Sequence, residues 1–353
     1  MYCKCTSMNE LNLKIQNRRV ICWGVGNYFQ AFLDSTSQYE NELEIVCLID
    51  NNEREQGEKR EINGKQIPIL SFEQYLSIRQ RDDLLIITTV HYQAIADQIE
   101  SISQDICYII YTLIQHTDCR SEIRIKRDKI MRIPPIIHYC WFGRGQVPET
   151  DKRYIAGWKE KCPEYKMVCW NEDNFDINKN VYVKWAYKNK KWAFVSDYVR
   201  LYALYEYGGI YLDTDVELLK NLDELRYQYA YMGMEASGCV NSGVGMGTEA
   251  DNPIIGEMLE LYDNISEKQI QEWKILKANV AWEREVLKRH GFKADNHYQI
   301  IENIAIFPSE YFSPVLVGKE EISVTKNTFS IHHYHYSWLS DKERTKIWEK
   351  RGI

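Results

Sequence analysis

Two aspartates with a single residue between them are the clearest candidates for chemistry in this chain. Asp213 and Asp215 lie in the stretch YGGIYLDTDVE (207–217), directly after an apolar strand pattern. Because side chains alternate along a strand, both carboxylates are expected to point the same way. Two close carboxylates repel each other unless a cation lies between them. The spacing therefore predicts a divalent cation, Mn²⁺ or Mg²⁺, that carries a diphosphate.

The segment before these aspartates predicts a capped helix that carries an ion pair. Ser196 is a plausible N-cap that puts Asp197 in the first turn, and a Gly-Gly pair at 208–209 ends the helix. Asp197 and Arg200 are three residues apart, so they share one helix face. The simple interpretation is an intrahelical ion pair. The functional one is that Asp197 binds a sugar hydroxyl while Arg200 binds phosphate or sugar.

Three histidines lie within four residues near the C-terminus, in the stretch IHHYHYSWL (331–339). Neutral imidazole is a good ligand for Mn²⁺. Ser337 and Trp338 could donate hydrogen bonds to a leaving diphosphate. A polar surface loop is the alternative, and the sequence leaves open which of His332, His333 and His335 is nearest the metal.

The first half of the chain alternates strand and helix patterns, which predicts a parallel sheet with helices on both faces. Gly24 and Gly26 separate a strand from a helix, and Asp50 ends the next strand, as in a dinucleotide-binding unit. Position 29 is Phe, so the third glycine of GxGxxG is missing, which argues against NAD. Both a working nucleotide site and a degenerate scaffold remain open.

Composition excludes some classes of function. The chain has 353 residues, enough for two domains, and its net charge of −7 argues against nucleic acid as a partner. Its ten cysteines contain no CxxC pair, which favours reduced thiols over a zinc site or a disulfide framework. No apolar run approaches 18 residues. We expect a cytoplasmic protein, with peripheral attachment to the inner membrane face left open.

Four segments together resemble bacterial capsular-polysaccharide glycosyltransferases of family 32, relatives of yeast mannosyltransferases and clostridial glucosylating toxins. They are IPPIIHYCWFG (133–143), CPEYKMVCWNEDNFD (162–176), AFVSDYVRLYALYEYGGIYLDTDVELL (193–219) and IHHYHYSW (331–338). The resemblance implies a GT-A fold, an Mn²⁺ or Mg²⁺ ion, a nucleotide-sugar donor with UDP as the expected nucleotide, and retention of anomeric configuration.

The resemblance also implies roles for individual residues. Asp197 and Arg200 would contact the donor sugar, Asp213 would face ribose and the metal-bound diphosphate, and Asp215 would ligate the metal. His332 would approach the metal or the diphosphate. The remaining implied contacts are with the base (Trp141, where core packing is the alternative), the diphosphate (Ser337 and Trp338) and a donor or acceptor sugar (Asn241).

Residues 20–70 resemble the small Rossmann-like domain of PglD-type sugar O-acyltransferases. The expected α/β organisation is therefore a Rossmann-like accessory domain (1–118), a linker (119–133) and a GT-A catalytic domain (134–353). The expected activity is sugar transfer to a saccharide or lipid-linked saccharide acceptor in capsule or other surface-polysaccharide synthesis. A hydrolase, an inactive sugar- or nucleotide-binding subunit and a dehydrogenase are the rival hypotheses, and the sequence leaves the donor, the acceptor and the oligomeric state open.

Overall fold

The structure, a computed structural model, describes residues 1–37, 43–118, 125, 127–272, 279–315 and 322–335. These residues build two main sheets, one from each half of the chain, with helices alternating along both. The predicted α/β fold class is confirmed. The positions of the domain boundaries stay a prediction.

The first sheet has six strands in the order β3-β4-β2-β1-β5-β6, and every neighbouring pair except β3 with β4 is parallel. All four residues of β1 and of β5 are buried, as expected for central strands between helical layers. The strands are β1 (Val20–Trp23), β2 (Ile45–Ile49), β3 (Lys59–Ile62), β4 (Lys65–Leu70), β5 (Leu84–Ile87) and β6 (Cys107–Ile110). The helices are α1 (Met8–Ile15), α2 (Asn27–Thr36), α3 (Phe72–Ile78), α4 (Tyr92–Ile102) and α5 (Tyr111–Asp118).

The second sheet has seven strands in the order β13-β14-β11-β12-β9-β7-β8, while β10 and β15 form a separate antiparallel pair. This mixed sheet is consistent with the predicted GT-A-type domain. The strands are β7 (Ile136–Cys140), β8 (Lys166–Trp170), β9 (Gly209–Tyr211), β10 (Val216–Leu218), β11 (Ala230–Gly233), β12 (Met246–Thr248), β13 (Gln299–Ile301), β14 (Ile304–Phe307) and β15 (Ser330–His332). The helices are α6 (Glu149–Lys161), α7 (Val181–Lys188), α8 (Trp192–Tyr207), α9 (Pro253–Asp263), α10 (Glu267–Glu272) and α11 (Asn279–Arg289), with short 3-10 helices at Asp223–Tyr227 and Ser309–Tyr311.

Strands β7, β9 and β11 end at one edge of the second sheet. Strand β7 is parallel to β9, and both β9 and β11 are antiparallel to β12, so all three run in the same direction. The segments that follow their carboxyl ends therefore meet, as is usual for ligand sites in α/β proteins. Those segments contain Trp141, the Asp213–Asp215 turn and Asn241.

Helix α8 begins five residues earlier than the sequence predicts. It starts after Lys191, and the hydroxyl of Ser196 donates to the carbonyl of Trp192 within the helix at 3.2 Å. Ser196 is therefore not the N-cap, and Asp197 lies in the second turn. The reason is tertiary: Val195 is fully buried in the core, so the helix extends back to bury it. The predicted glycine ending holds, since Gly208 has φ 61° and an added Cβ would lie 2.9 Å from the amide nitrogen of Ala250.

The prediction of reduced thiols is wrong for two of the cysteines. Cys3 and Cys107 form a disulfide, because Tyr2 pairs with Tyr108 and brings the two Cα atoms to 6.2 Å. Seven other cysteines among the described residues are free thiols. The cellular location stays a prediction. Within the part of the chain that the structure describes, no helix has the length and apolar character needed to cross a membrane.

The two halves share packing and charge contacts. One continuous cluster of buried apolar side chains includes Phe32 and Ile114 from the first half and Val286 and Leu287 from α11. Lys288, also on α11, pairs with the carboxylate of Asp34 in α2 at 2.7 Å. Helix α11 therefore contacts both halves of the chain.

Candidate active site

A tight turn, rather than a strand, brings the two aspartates of the DXD motif together. Strand β9 ends at Tyr211, and Thr214 and Asp215 form a turn before β10. The hydroxyl of Thr214 points away to the buried carboxylate of Asp151 on α6, to which it donates at 2.8 Å. Ligand atoms of Asp213, Asp215 and His332 all lie within 4.8 Å of one another. The two carboxylates thus face one centre, as the spacing predicts.

Strand β15 delivers His332 to this centre. It pairs antiparallel with β10, which places His332 opposite Val216, directly after Asp215. The Nε2 atom of His332 lies 3.4 Å from Oδ1 of Asp215 and 3.7 Å from Oδ2 of Asp213. The imidazole is buried, and neither ring nitrogen has a hydrogen-bond partner among the described residues. Burial works against its protonation, but the carboxylates of Asp215 and Asp213 outweigh it and raise the pKa of His332.

The neighbouring histidines have other partners. The Nε2 atom of His333 lies 3.0 Å from Glu217, and its ring stacks on Tyr154 with centroids 4.8 Å apart. The Nδ1 atom of His335 lies 3.3 Å from Oδ1 of Asp151. Of the three histidines that the sequence leaves open, the structure thus brings His332 to the DXD carboxylates. Ser337 and Trp338 lie outside the described residues.

Arg200 is the buried cation of the site and is 4% exposed. Its Nη2 donates to Oδ1 of Asp213 at 3.0 Å, and its Nη1 lies 3.4 Å from Oδ1 of Asp197. The phenol of Tyr211 donates to the same Asp213 oxygen at 2.9 Å. Burial opposes ionisation of Asp213, but Arg200 and His332 outweigh it and hold its pKa below the usual value. Oδ1 of Asp213 is therefore engaged, while Oδ2 faces the cation centre.

Asp197 differs from Asp213 in its electrostatics. Burial raises the pKa of Asp197 to about 7, although Arg200 acts in the opposite direction. Asp213 shares the same arginine but is closer to it and also accepts a hydrogen bond from the Tyr211 hydroxyl. The pair that shares a helix face, as the sequence predicts, is thus in contact and buried within the protein.

The loop after β11 lies against Asp213. An added Cβ on Gly243 would meet Oδ2 of Asp213 at 2.3 Å. Asn241 shapes this loop, because its Oδ1 accepts from the amide of Gly243 at 2.8 Å and its Nδ2 donates to Glu235 at 3.3 Å. The sequence predicts Asn241 but misses Glu235, and the signal that favours Glu235 is its position two residues after β11 ends at Gly233.

Trp141 lies in the loop after β7. Its indole Nε1 donates to the carbonyl of Gly145 at 2.7 Å, and the amide of Gly143 donates to Glu172 at 2.7 Å. Gly143 has φ 93°, and an added Cβ would lie 2.6 Å from the indole of Trp192. The structure thus places Trp141 at the same sheet edge as the carboxylates, in a loop that packs closely against the indole of Trp192.

In the first half, the aspartate of the partial nucleotide motif contacts the turn that contains the two glycines. The amide of Val25 donates to Oδ2 of Asp50 at 3.2 Å, and an added Cβ on Gly24 would meet the carbonyl of Thr88 at 2.9 Å. Close strand packing accounts for Gly24 without a ligand. Nucleotide binding in this half stays a prediction.

The second half thus has the features of a cation site: a carboxylate pair and an imidazole, beside a buried arginine, at the carboxyl edge of an α/β sheet. Residues 148–232 match a family described as "Glycosyltransferase sugar-binding region containing DXD motif". Residues 16–110 match a family described as "C2185-like, N-terminal". The predicted relation to DXD glycosyltransferases is confirmed for residues 148–232. The capsular specificity and the PglD-like first half stay predictions.

Individual relatives match part of the chain. Inositol phosphoceramide mannosyltransferase 3 of Schizosaccharomyces pombe is 28% identical over 135 residues, which cover 35% of this chain and 35% of that protein. An uncharacterised Arabidopsis thaliana protein is 32% identical over 120 residues, which cover 34% of this chain and 18% of the relative. The chain thus spans about a third of the length of the first relative and less of the second.

Two solved structures are similar to this chain at lower sequence identity. PaToxG glycosyltransferase is 20% identical with a TM-score of 0.38, covering 44% of this chain and 69% of the other. A glycosyltransferase involved in glycosylation of the major capsid of PBCV-1 is 13% identical with a TM-score of 0.35, covering 61% and 100%. Neither TM-score reaches 0.5.

Proposed function

We propose that this protein is a metal-dependent, retaining glycosyltransferase that moves a sugar from a nucleotide-sugar donor, expected to be UDP-linked, to a saccharide or lipid-linked saccharide acceptor. The observation that supports this most is the approach of Asp213, Asp215 and His332 ligand atoms to within 4.8 Å. Both aspartates lie inside the region that matches the DXD sugar-binding family. Surface-polysaccharide synthesis is the proposed context.

The donor atoms that face this centre fit a divalent cation. They are carboxylate oxygens of Asp213 and Asp215 together with Nε2 of His332, a buried nitrogen without a hydrogen-bond partner among the described residues. Oxygen ligands combined with one imidazole suit Mn²⁺. A bound Mn²⁺ or Mg²⁺ supplies Lewis-acid stabilisation of a leaving diphosphate, worth several kcal/mol.

The protein's own residues prepare the rest of the site. Arg200 neutralises one side of Asp213 and fixes its rotamer, so that the other oxygen stays directed to the centre. Asp197, buried beside Arg200, is proposed to bind a donor-sugar hydroxyl, and Asn241 to contact a sugar from the loop after β11. Trp141, at the same sheet edge, is proposed to stack on the base.

A donor-hydrolysis screen tests this proposal without knowledge of the acceptor. Purified full-length protein is incubated with Mn²⁺ and a panel of UDP-, GDP-, CMP- and TDP-sugars, and nucleotide release is measured with and without EDTA. We expect release from at least one donor, its loss with EDTA and its return with added Mn²⁺. Adding candidate acceptors should then convert hydrolysis into transfer.

The test variant is Asp215→Ala, which removes a proposed metal ligand. Its matched control is Asp97→Ala, which replaces an exposed aspartate in the first half. Folded protein that binds neither Mn²⁺ nor any nucleotide sugar would contradict the proposal. Hydrolysis that no acceptor converts into transfer would instead favour a nucleotide-sugar hydrolase.

A further inference from the structure

A buried glutamate outside the matched DXD region lies behind the proposed site. Glu283 is on α11 and is 1% exposed. Both of its carboxylate oxygens accept hydrogen bonds from one residue, Ser242. The Ser242 amide donates to Oε2 at 3.0 Å, and the Ser242 hydroxyl donates to Oε1 in a short hydrogen bond. The contact fixes Ser242 by its backbone and by its side chain at once.

This contact sets the direction of the Ser242 hydroxyl. A serine hydroxyl has one proton to donate, and here Glu283 accepts it. The Ser242 oxygen is then an acceptor for Nη1 of Arg200, which lies at 3.2 Å. A directed chain follows, in which Arg200 donates to Ser242 and Ser242 donates to Glu283.

The other end of Arg200 reaches the DXD motif. Its Nη2 donates to Oδ1 of Asp213 at 3.0 Å. The guanidinium is planar and rigid, so an acceptor that fixes one nitrogen also fixes the other. Glu283 therefore influences the rotamer of Asp213 through Ser242 and Arg200.

The loop that contains Ser242 and Gly243 provides a second connection between Glu283 and Asp213. Gly243 follows Ser242, and its Cα lies so close to Asp213 that an added Cβ would meet Oδ2 at 2.3 Å. A shift of Ser242 therefore moves the surface on which the Asp213 carboxylate rests. Asp213 is held on the Oδ1 side by Arg200 and on the Oδ2 side by this loop, and Glu283 anchors both.

A buried carboxylate is an expensive way to anchor a loop, because removing the charge from water costs several kcal/mol. A neutral glutamine could accept the Ser242 amide bond at a lower cost. Its NH₂ group, however, could only donate to the Ser242 oxygen, which would turn the hydroxyl proton toward Arg200. Two acceptor oxygens, one for the Ser242 amide and one for its hydroxyl, are what the direction of the chain requires.

We propose that Glu283 is a positioning residue that orients Asp213 for cation and donor binding by fixing Ser242 and, through it, Arg200. The part of this inference that concerns binding of the sugar donor rests on the proposed function. The effect on cation binding can be measured independently.

The test compares Glu283→Gln with Glu285→Gln in the full-length protein. Both residues are glutamates on α11, but Glu285 is exposed and pairs only with Arg289 among its described ion-pair partners. Mn²⁺ affinity is measured by calorimetry without nucleotide, alongside the melting temperature. We expect the Mn²⁺ Kd of Glu283→Gln to rise about 10- to 100-fold, as for other residues that support metal ligands, while Glu285→Gln matches wild type.

A second variant covers the case in which Glu283→Gln fails to fold. Ser242→Ala removes the hydroxyl relay but keeps the amide bond to Glu283, so it should weaken Mn²⁺ binding in the same direction. The double variant should bind Mn²⁺ no more weakly than the weaker-binding single variant, because both substitutions interrupt the same chain of hydrogen bonds. Wild-type Mn²⁺ affinity in folded Glu283→Gln or Ser242→Ala would overturn the inference, as would a wild-type protein that binds no Mn²⁺.

The two proposals fail in different ways. Wild-type protein that binds Mn²⁺ but releases no nucleotide from any sugar donor would contradict the proposed function. The Mn²⁺ affinities of the Glu283 and Ser242 variants would still decide whether Glu283 positions Asp213. Where donor hydrolysis is present, a fall in the kcat of these variants at an unchanged melting temperature would support the positioning role of Glu283.

Discussion

The Nε2 atom of His332 lies 3.4 Å from Oδ1 of Asp215, and the chain after His332 holds Asp215 at two further points. The amide of His333 donates to the Asp215 carbonyl at 3.1 Å, and the amide of His335 donates to Oδ2 at 2.8 Å. The segment 332–335 thus fixes the backbone and one oxygen of Asp215 and leaves Oδ1 directed at the imidazole. Asp215, like Asp213, thus has one carboxylate oxygen held by hydrogen bonds while the other faces the common centre.

Asp215→Ala should abolish Mn²⁺ binding and lower donor turnover by at least about 100-fold, as for the loss of other fixed charge-stabilising groups. The fold should survive, because the change removes the contact with His332 and one hydrogen bond from the amide of His335, which is worth about 1.5–3 kcal/mol for a charged acceptor. Calorimetry with Mn²⁺ and thermal unfolding measure the two effects. A folded variant with wild-type turnover would refute the role of this carboxylate, and Asp97→Ala provides the surface control.

His332→Gln and His333→Gln should separate the neighbouring histidines. Replacing His332 removes the imidazole that faces both carboxylates and should raise the Mn²⁺ Kd by about 10- to 100-fold. Replacing His333 removes a contact with Glu217 and a ring stacked on Tyr154, so it should leave the Mn²⁺ Kd near wild type. Equal effects of both variants on Mn²⁺ affinity would argue against His332 as the ligand.

Gly243→Ala should damage the site by overpacking. The new Cβ would meet Oδ2 of Asp213 at 2.3 Å, so the carboxylate or the loop must move, at a cost of about 1–3 kcal/mol in unfolding free energy. We expect weaker Mn²⁺ binding and lower donor turnover. Gly157→Ala is the matched control.

The position of Gly157 predicts the opposite change in stability. It lies inside helix α6, and an added Cβ would find no heavy atom within 4 Å. Gly157→Ala should therefore raise the unfolding free energy by about 0.5–1 kcal/mol, with Mn²⁺ binding unchanged. Denaturant unfolding measures both glycine variants. If Gly243→Ala proved as harmless as Gly157→Ala, the close contact with Asp213 would not matter.

His138 predicts how stability depends on pH. It bonds the carbonyl of Gly208 through Nε2 at 2.9 Å and accepts the indole N–H of Trp170 at Nδ1, which requires a neutral ring. Burial lowers the pKa of His138 from 6.5 to about 4, against the effect of the Gly208 bond. The unfolded chain therefore binds more protons between these two values, and this contribution to stability is lost as pH falls through that window.

At pH 5 the loss from His138 should reach about 2 kcal/mol of unfolding free energy relative to pH 7.5. His138→Gln cannot titrate, so its unfolding free energy should fall less between the same two pH values. Denaturant unfolding of wild type and variant at each pH gives the comparison. Equal pH dependence in the two proteins would show that His138 keeps its ordinary pKa.

The sequence predicts the parts of the site that are close together along the chain. Asp197, Arg200, Asp213 and Asp215 occupy one helix–turn unit, so spacing rules suffice to place them near each other. Glu283 was missed because it lies between other charged residues in WEREVLKR, and only tertiary packing decides which charge is buried. Its spacing from Val286 and Leu287 puts it on the apolar face of α11, which is the available signal.

For the fold as well, the sequence predicts the elements with clear local patterns and misses those that depend on distant contacts. Continuous apolar runs predict strands β1, β2 and β5, because central parallel strands are buried on both faces, and a similar run predicts β6 at the end of the sheet. The edge strand β3 has the sequence KREI and is mostly exposed, so no apolar pattern marks it. The early start of α8 and the Cys3–Cys107 disulfide both depend on distant packing, which local patterns do not encode.

The ion pair between Lys288 and Asp34 has an evolutionary consequence. The two residues belong to different halves of the chain, and Lys288 lies on the helix that also carries Glu283. Exchange of the first half for an unrelated module would leave Lys288 without this partner and alter the packing around Val286 and Leu287. We therefore expect positions 34 and 288 to vary together among homologues, and first halves to be inherited with their own α11 rather than shuffled freely.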